Sequence, residues 1–267
     1  MKHLSDYIIS LKEKGDFYFT SQKALKFMDV SDDAFRMSLA RLRQKKQIVT
    51  LSKRFHLIIA PEYHSIGCLP PDHFISAYMQ FLNLPYYVCL LSAAGYYGAA
   101  HQKPQIFQVM TNKQLNPVKC GKVIVQFSFK KNIDNVSSNS FTVPTGYIKV
   151  STPEVTAMDL LRYQTSSGGI NNIATVLTEL VININPEKLL QIATDSDETA
   201  WIQRLGYILE QSEPMEVEHR DKIVILLKEL INNKKPAYIP LLSKGIDKST
   251  KNPDWRVIVN HKIETDI

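Results

Sequence analysis

The stretch SDDAFRMSLARLRQKKQIVTLSKRFHLI, residues 31–58, changes its periodicity midway. In its first half Phe35, Leu39 and Leu42 fall at i, i+4 and i+7, one stripe of a helix. Arg36, Met37, Ala40, Arg41 and Gln44 are left on the other faces. Ser31 stands where a hydroxyl satisfies first-turn amides, and Asp32 and Asp33 suit the positive end of the helix dipole. In the second half, Ile48 to Leu51 and Phe55 to Ile59 are β-rich runs around the short polar turn Ser52, Lys53, Arg54, which predicts a hairpin.

Working outward toward the amino terminus, Leu4, Ile8, Ile9 and Leu11 mark a first helix that Gly15 ends, and Phe17 to Phe19 form a short extended stretch. Thr20 or Ser21 caps a second helix running to Met28, with Ala24, Leu25 and Phe27 turned inward. Helix, helix, basic helix and basic-tipped hairpin within about 65 residues is the winged helix-turn-helix plan. In that plan the third helix enters the major groove, where arginine reads guanine edges and glutamine reads adenine. The wing brings its cations to the neighbouring backbone. The candidate DNA-binding residues are therefore Arg36, Met37, Arg41, Arg43, Gln44, Lys45, Lys53 and Arg54.

Charge placement agrees with this reading. The 267-residue chain carries a net charge of +6, of which residues 1–70 hold +5 and the remainder only +1. A focused positive patch suits a phosphate backbone, whereas an evenly spread excess would say little about partners. With 44% hydrophobic and 22% charged residues and no low-complexity tract, the composition is that of an ordinary folded protein. The amino-terminal apolar run is broken by Ser5, Asp6 and Ser10, unlike a signal peptide. The longest apolar stretch, residues 86–100, contains Ser92, Gly95 and Gly98 and falls short of a membrane span, so a cytoplasmic protein is expected.

The segment from Pro61 to Pro71 breaks both periodicities and predicts a linker, which divides the chain into a module of residues 1–65 and a domain of residues 72–267. Within the latter, a helix is expected at 72–82, then PYYVCLLSAAGYYGAA as a buried strand or helix followed by a small-residue helix. Strands are expected at 106–110, 122–130 and 141–150, with a polar loop over 132–140. From Ser151 the pattern turns helical, with helices expected near 154–163, 170–182, 186–193, 199–209 and 219–230 and a last strand near 255–259. The fold class is α+β: a winged helix-turn-helix, a mixed α/β part over 72–150 and a mainly helical part over 151–267.

Little in the sequence points to catalysis. Cys68, Cys89 and Cys120 are odd in number and spaced 21 and 31 apart, which fits neither a disulfide framework nor a C-x-x-C pair. Buried thiols in a reducing compartment are expected. His64, Cys68 and His73 have loose metal-like spacing without a fourth ligand, and Gly168-Gly169 lacks any phosphate-loop pattern. Asp159 lies on a predicted helix without a neighbouring acid and lysine, so a cap or helix surface is expected there. The pairs Tyr86-Tyr87 and Tyr96-Tyr97 are expected in the core. No enzyme, cofactor or metal site is predicted.

Four segments, taken in order, resemble one family. They are residues 31–58 quoted above, LLSAAGYYGAAHQKPQIFQVMTNK at 90–113, STPEVTAMDLLRYQTSSGGINNIATVLTEL at 151–180 and DWRVIVN at 254–260. Together they are similar to the AbiE-type (AbiEi) antitoxins of bacterial type IV toxin–antitoxin systems. The resemblance implies a transcriptional autorepressor that binds inverted repeats in its own promoter. Its larger carboxy-terminal domain would counter a co-encoded nucleotidyltransferase-like toxin without a stable complex. Two other readings stand beside it: a DNA-processing or restriction-associated enzyme targeted by a winged helix, and a regulator that senses a ligand around residues 86–97.

Overall fold

The computed structural model of the chain describes residues 3–100, 105–212, 217–243 and 250–264. Its architecture is α+β, with ten α-helices and three β-sheets among the described residues. Two compact units divide the chain: residues 1–88, 105–135 and 140–149 make up the first, and residues 89–104, 136–139 and 150–267 the second. The division by compactness does not fall in the segment 65–72 where composition changes, because the front module and the central sheet lie in one unit.

The first unit opens with α1 (Leu4–Glu13), β1 (Tyr18–Thr20), α2 (Ser21–Met28), α3 (Asp32–Gln44), β2 (Ile48–Ser52) and β3 (Phe55–Ile58). Each element follows from local chemistry. Thr20 Oγ1 accepts from the amide of Lys23 to cap α2, and Ser31 Oγ accepts from that of Ala34 to cap α3. Helix α3 ends with Lys46 in the left-handed conformation (φ 55°). The Lys46 amide donates to Arg43 O and the Gln47 amide to Leu42 O, a Schellman closure with lysine in the position glycine usually takes. Leu4, Tyr7, Ile8, Leu11, Phe19, Ala24, Met28, Phe35, Leu39, Ile48 and Ile58 form one core beneath the helices and the antiparallel sheet β1-β3-β2. Tyr7 takes the inward place expected of Ile9, which is exposed, because position 7 rather than 9 continues the stripe from Leu4 to Leu11.

A 3-10 turn at Pro61–Tyr63 leads to α4 (Pro71–Leu82) and β4 (Tyr86–Val88). Then come β5 (Ile106–Thr111), β6 (Val118–Cys120), β7 (Val123–Phe129), β8 (Ser138–Val143) and β9 (Gly146–Ser151). These strands form a mixed sheet in the order β6-β7-β5-β4-β9-β8, with β5 parallel to β7 and antiparallel to β4. Two expectations are corrected here. The run 141–150 is two strands, since Pro144-Thr145-Gly146 turns the chain with Gly146 at φ 122°, and β8 begins at Ser138 within the expected loop. Strand β6 is too short for periodicity to mark and exists by pairing with β7.

The cysteine expectation is also overturned. Cys68 and Cys120 form a disulfide across 52 residues, with Cα atoms 5.6 Å apart, while Cys89 is free and buried. Sequence spacing hides the pairing because topology, not separation, brings Cys68 to the edge strand β6. The backbones meet there so closely that a side chain at Gly121 (φ +56°) would run into Ile66 O and Gly67. The Lys122 amide donates to Ile66 O at 2.9 Å beside the bridge.

The second unit is helical: α5 (Leu90–Tyr96), α6 (Pro153–Arg162), α7 (Gly169–Leu180), α8 (Pro186–Asp195), α9 (Ala200–Gln211) and α10 (Val217–Lys234). It closes on a small sheet of β10 (Ile239–Pro240), β12 (Val257–Val259) and β11 (Thr250–Asn252), in that order. Helix α6, with Thr152 as its cap and Pro153 at its first position, packs against α5, α7, α8 and α9, so that residues 153–161 are all buried. Asp159 is therefore buried rather than on a helix surface, because α6 has no surface face for it. Tyr97 knits distant parts of this unit together: its hydroxyl donates to Ser151 O at 2.7 Å and accepts from Asn139 Nδ2 at 3.1 Å. Burial, above all, raises its phenol pKa. Among the described residues no helix is long and apolar enough to cross a membrane.

Candidate nucleic-acid interface

The front module gathers its cations around one cleft. In the hairpin Ser52 pairs with Phe55, which leaves Lys53 and Arg54 as the turn itself, fully projecting. The amide of Ser21 donates to Arg54 O at 3.0 Å, so the amino terminus of α2 is held against that turn. Between them and α3 lies an open cleft of about 530 Å³ lined by Ser21, Gln22, Leu25, Asp32, Phe35, Arg36, Leu39, Lys53 and Arg54. Phe35 and Leu39 floor it while Arg36, Lys53 and Arg54 ring it. The mixture is one of apolar support under exposed positive charge. Arg36 also lies 3.5 Å from Asp33, but both side chains are so exposed that the pair contributes little and does not commit the guanidinium.

The framework under the cleft is polar at one point. His56 is buried, with Nε2 2.9 Å from Ser21 Oγ and Nδ1 2.9 Å from Thr50 Oγ1, so that a single imidazole links α2, β3 and β2. Its ring stacks on Phe19 and meets Phe35 edge-on at 6.4 Å. Burial, reinforced by the charge of Arg43, lowers its pKa to about 4. The neutral ring is thus the working form, and it fixes the hairpin against the helix that carries Arg36.

All eight candidate residues are exposed, and the structure separates them into groups. Arg36, Lys53 and Arg54 share the cleft. Met37 and Gln44 stand on the side of α3 opposite Phe35, Leu39 and Leu42, with Arg41 beside them and Arg43 on the flank toward His56. Lys45 is the cap residue that ends α3, past its last turn. Sequence reasoning missed Ser21 and Gln22, whose only signal was the capping pattern at Thr20-Ser21. It also missed His56, a lone histidine in an apolar run.

Among the described residues no group of histidines, cysteines and acids is placed to hold a metal. Several buried or partly buried polar side chains of the second unit are hydrogen-bonded within it. Glu154 accepts from the Asn185 amide at 2.8 Å and Gln203 donates to Ala237 O and Arg256 O. Glu210 accepts from Trp255 Nε1 at 2.7 Å and from Lys228 Nζ at 3.1 Å.

The chain is similar over 95% of its length, and 90% of the other's, to the crystal structure of the RV2827C protein from Mycobacterium tuberculosis, with 15% identity and a TM-score of 0.69. The two share a fold. Weaker likenesses, at 9% identity, are to the antibiotic-resistance factor ANT(2'')-Ia and to an antigenic nucleotidyltransferase-like protein from Paracoccidioides brasiliensis. The first covers 45% of this chain and 85% of that one with a TM-score of 0.33, the second 61% and 87% with 0.32. No curated protein matches the sequence. Residues 86–211 match the family described as AbiEi antitoxin C-terminal domain.

Proposed function

We propose that the module of residues 1–65 acts as a winged helix-turn-helix, with α3 as recognition helix and the β2–β3 hairpin as wing, and that the protein is an antitoxin and transcriptional autorepressor. The observation that carries the DNA-binding part is the gathering of Arg36, Lys53 and Arg54 around one cleft at the amino terminus of α2. A helix and a hairpin presenting cations to the same side fit a groove and its flanking phosphate backbone. The antitoxin part rests on the AbiEi match over residues 86–211. In this reading the AbiEi domain counters a co-encoded nucleotidyltransferase-like toxin in the cytoplasm, without a stable complex and without catalysis of its own. The winged helix meanwhile occupies inverted repeats in the promoter of the pair.

The test is binding of the full-length protein to a duplex covering its own upstream region, beside a scrambled duplex of equal length. Preference for the upstream duplex, lost when Arg36, Arg41, Lys53 and Arg54 are all changed to alanine, is expected. Undiminished binding by that variant would place the interface elsewhere.

A further inference from the structure

The outward ridge of α3 is apolar at its centre, although the helix carries three arginines, Arg36, Arg41 and Arg43. With Phe35, Leu39 and Leu42 turned to the core, the opposite direction is occupied by Met37, Ala40 and Gln44. Met37 is 59% exposed and Ala40 is exposed one turn further on. The cations Arg36 and Arg43 lie toward one flank and Arg41 toward the other, so they straddle this strip rather than cover it. A solvated methionine in that position gains nothing from water, and its surroundings are built for a polyanion.

Resting on the DNA-binding reading above, we infer that Met37 and Ala40 are specificity-determining residues that recognise the methyl groups of thymine. On the major-groove edge of unmodified DNA the thymine methyl is the one apolar feature, so an apolar ridge carried into that groove discriminates at thymine and nowhere else. Positions 37 and 40 are three residues apart, a rise of about 4.5 Å, comparable to the roughly 3.4 Å between stacked base pairs. The two side chains therefore address neighbouring steps. The flanking arginines reach the backbone on either side. The flexible thioether, with more reach than Ala40, supplies the larger contact. Preference then comes from the middle of the helix face, and affinity from its edges.

The experiment uses the full-length protein. A duplex is first enriched from a randomised pool, and each thymine of the enriched site is then replaced singly by deoxyuridine, which removes the methyl and keeps every hydrogen-bonding group. The dissociation constant is expected to rise about 3- to 5-fold at one or two positions, the size of one buried methyl group. The same replacements should have no effect on the Met37→Ala variant at the position it reads, while Met37→Leu keeps the sensitivity. Wild-type protein that binds the enriched duplex yet ignores every deoxyuridine overturns the inference alone. So do deoxyuridine losses that persist at full size in both Met37→Ala and Ala40→Gly. A protein that enriches no duplex overturns the DNA-binding reading itself.

Discussion

Trp255 fills the space that any side chain at position 206 would require. The indole lies on the backbone of α9 at Gly206, so that even an added methyl would overlap its six-membered ring. Trp255 is fully buried, and its Nε1 donates to Glu210 Oε2 one turn along the same helix.

Gly206→Ala should therefore destabilise the second unit despite the better helix propensity of alanine. Overpacking against a tryptophan fixed by a hydrogen bond costs about 2–3 kcal/mol, against a propensity gain of about 1 kcal/mol. Urea unfolding followed by tryptophan fluorescence measures the shift. An unchanged midpoint would mean that the indole moves aside freely.

His56 predicts an acid-sensitive front module. Folded, the ring stays neutral down to about pH 4, whereas in the unfolded chain it takes a proton near its ordinary pKa of 6.5. The unfolded state binds more protons in between, so this stabilisation is complete above pH 6.5 and is lost as pH falls toward 4. Between pH 7 and pH 5 the loss is about 2 kcal/mol. His56→Asn should be less stable at neutral pH, through the missing ring contacts, and should show a shallower dependence over that interval. Equal slopes for the two proteins would assign the acid sensitivity to other groups.

Salt dependence provides the sharpest reading of the basic cleft. If Arg36, Arg41, Lys53 and Arg54 each neutralise a phosphate, changing all four to alanine lowers the slope of log affinity against log salt by about 3–4. Because these residues are exposed, the variant should fold, lose reporter repression and still rescue growth from a co-expressed cognate toxin. Loss of rescue along with repression would show that neutralisation runs through DNA.

The Cys68–Cys120 bridge closes a loop between residues separated by 52 positions. In the chain-entropy description such a loop is worth about 4 kcal/mol relative to the open chain. Oxidised protein should release two thiols on reduction in denaturant, beyond the one from Cys89, and Cys120→Ser should unfold at lower urea. Three free thiols before reduction, in protein prepared without reductant, would show that the pair stays open.

The legible parts of the fold were those fixed within a few residues. The Ser31 cap, the Phe35-Leu39-Leu42 stripe and the basic turn at Lys53-Arg54 follow from local periodicity and hydrogen bonding, and the structure has them where the residues predict. The parts that escaped depend on distant partners. Three residues at β6 carry no pattern until β7 lies beside them, and Cys68 and Cys120 are unremarkable until the sheet edge brings them together. Asp159 looks like a surface residue in a helix of mixed composition, and only the surrounding helices bury it. The split between β8 and β9 was written in Pro144-Thr145-Gly146, a turn signal outweighed by the β-rich residues on either side. For the candidate site the cations were readable, but their grouping was not, since Arg36 and Arg54 come to one cleft only once β3 is paired with β1.

The order in which the chain leaves the ribosome matters for a protein with this strand order. The core of the front module is complete by Ile58, whereas β4 lies between β5 and β9, and β9 ends at Ser151. At about 5–20 residues per second, translation takes on the order of 5–20 seconds to go from one point to the other. Helix α5 of the second unit is synthesised early and must wait still longer for α6 and α7, which pack against it. A nascent chain therefore has its basic cleft well before its second unit. Any message that is cut or stalled in this interval yields a fragment able to form the first and not the second.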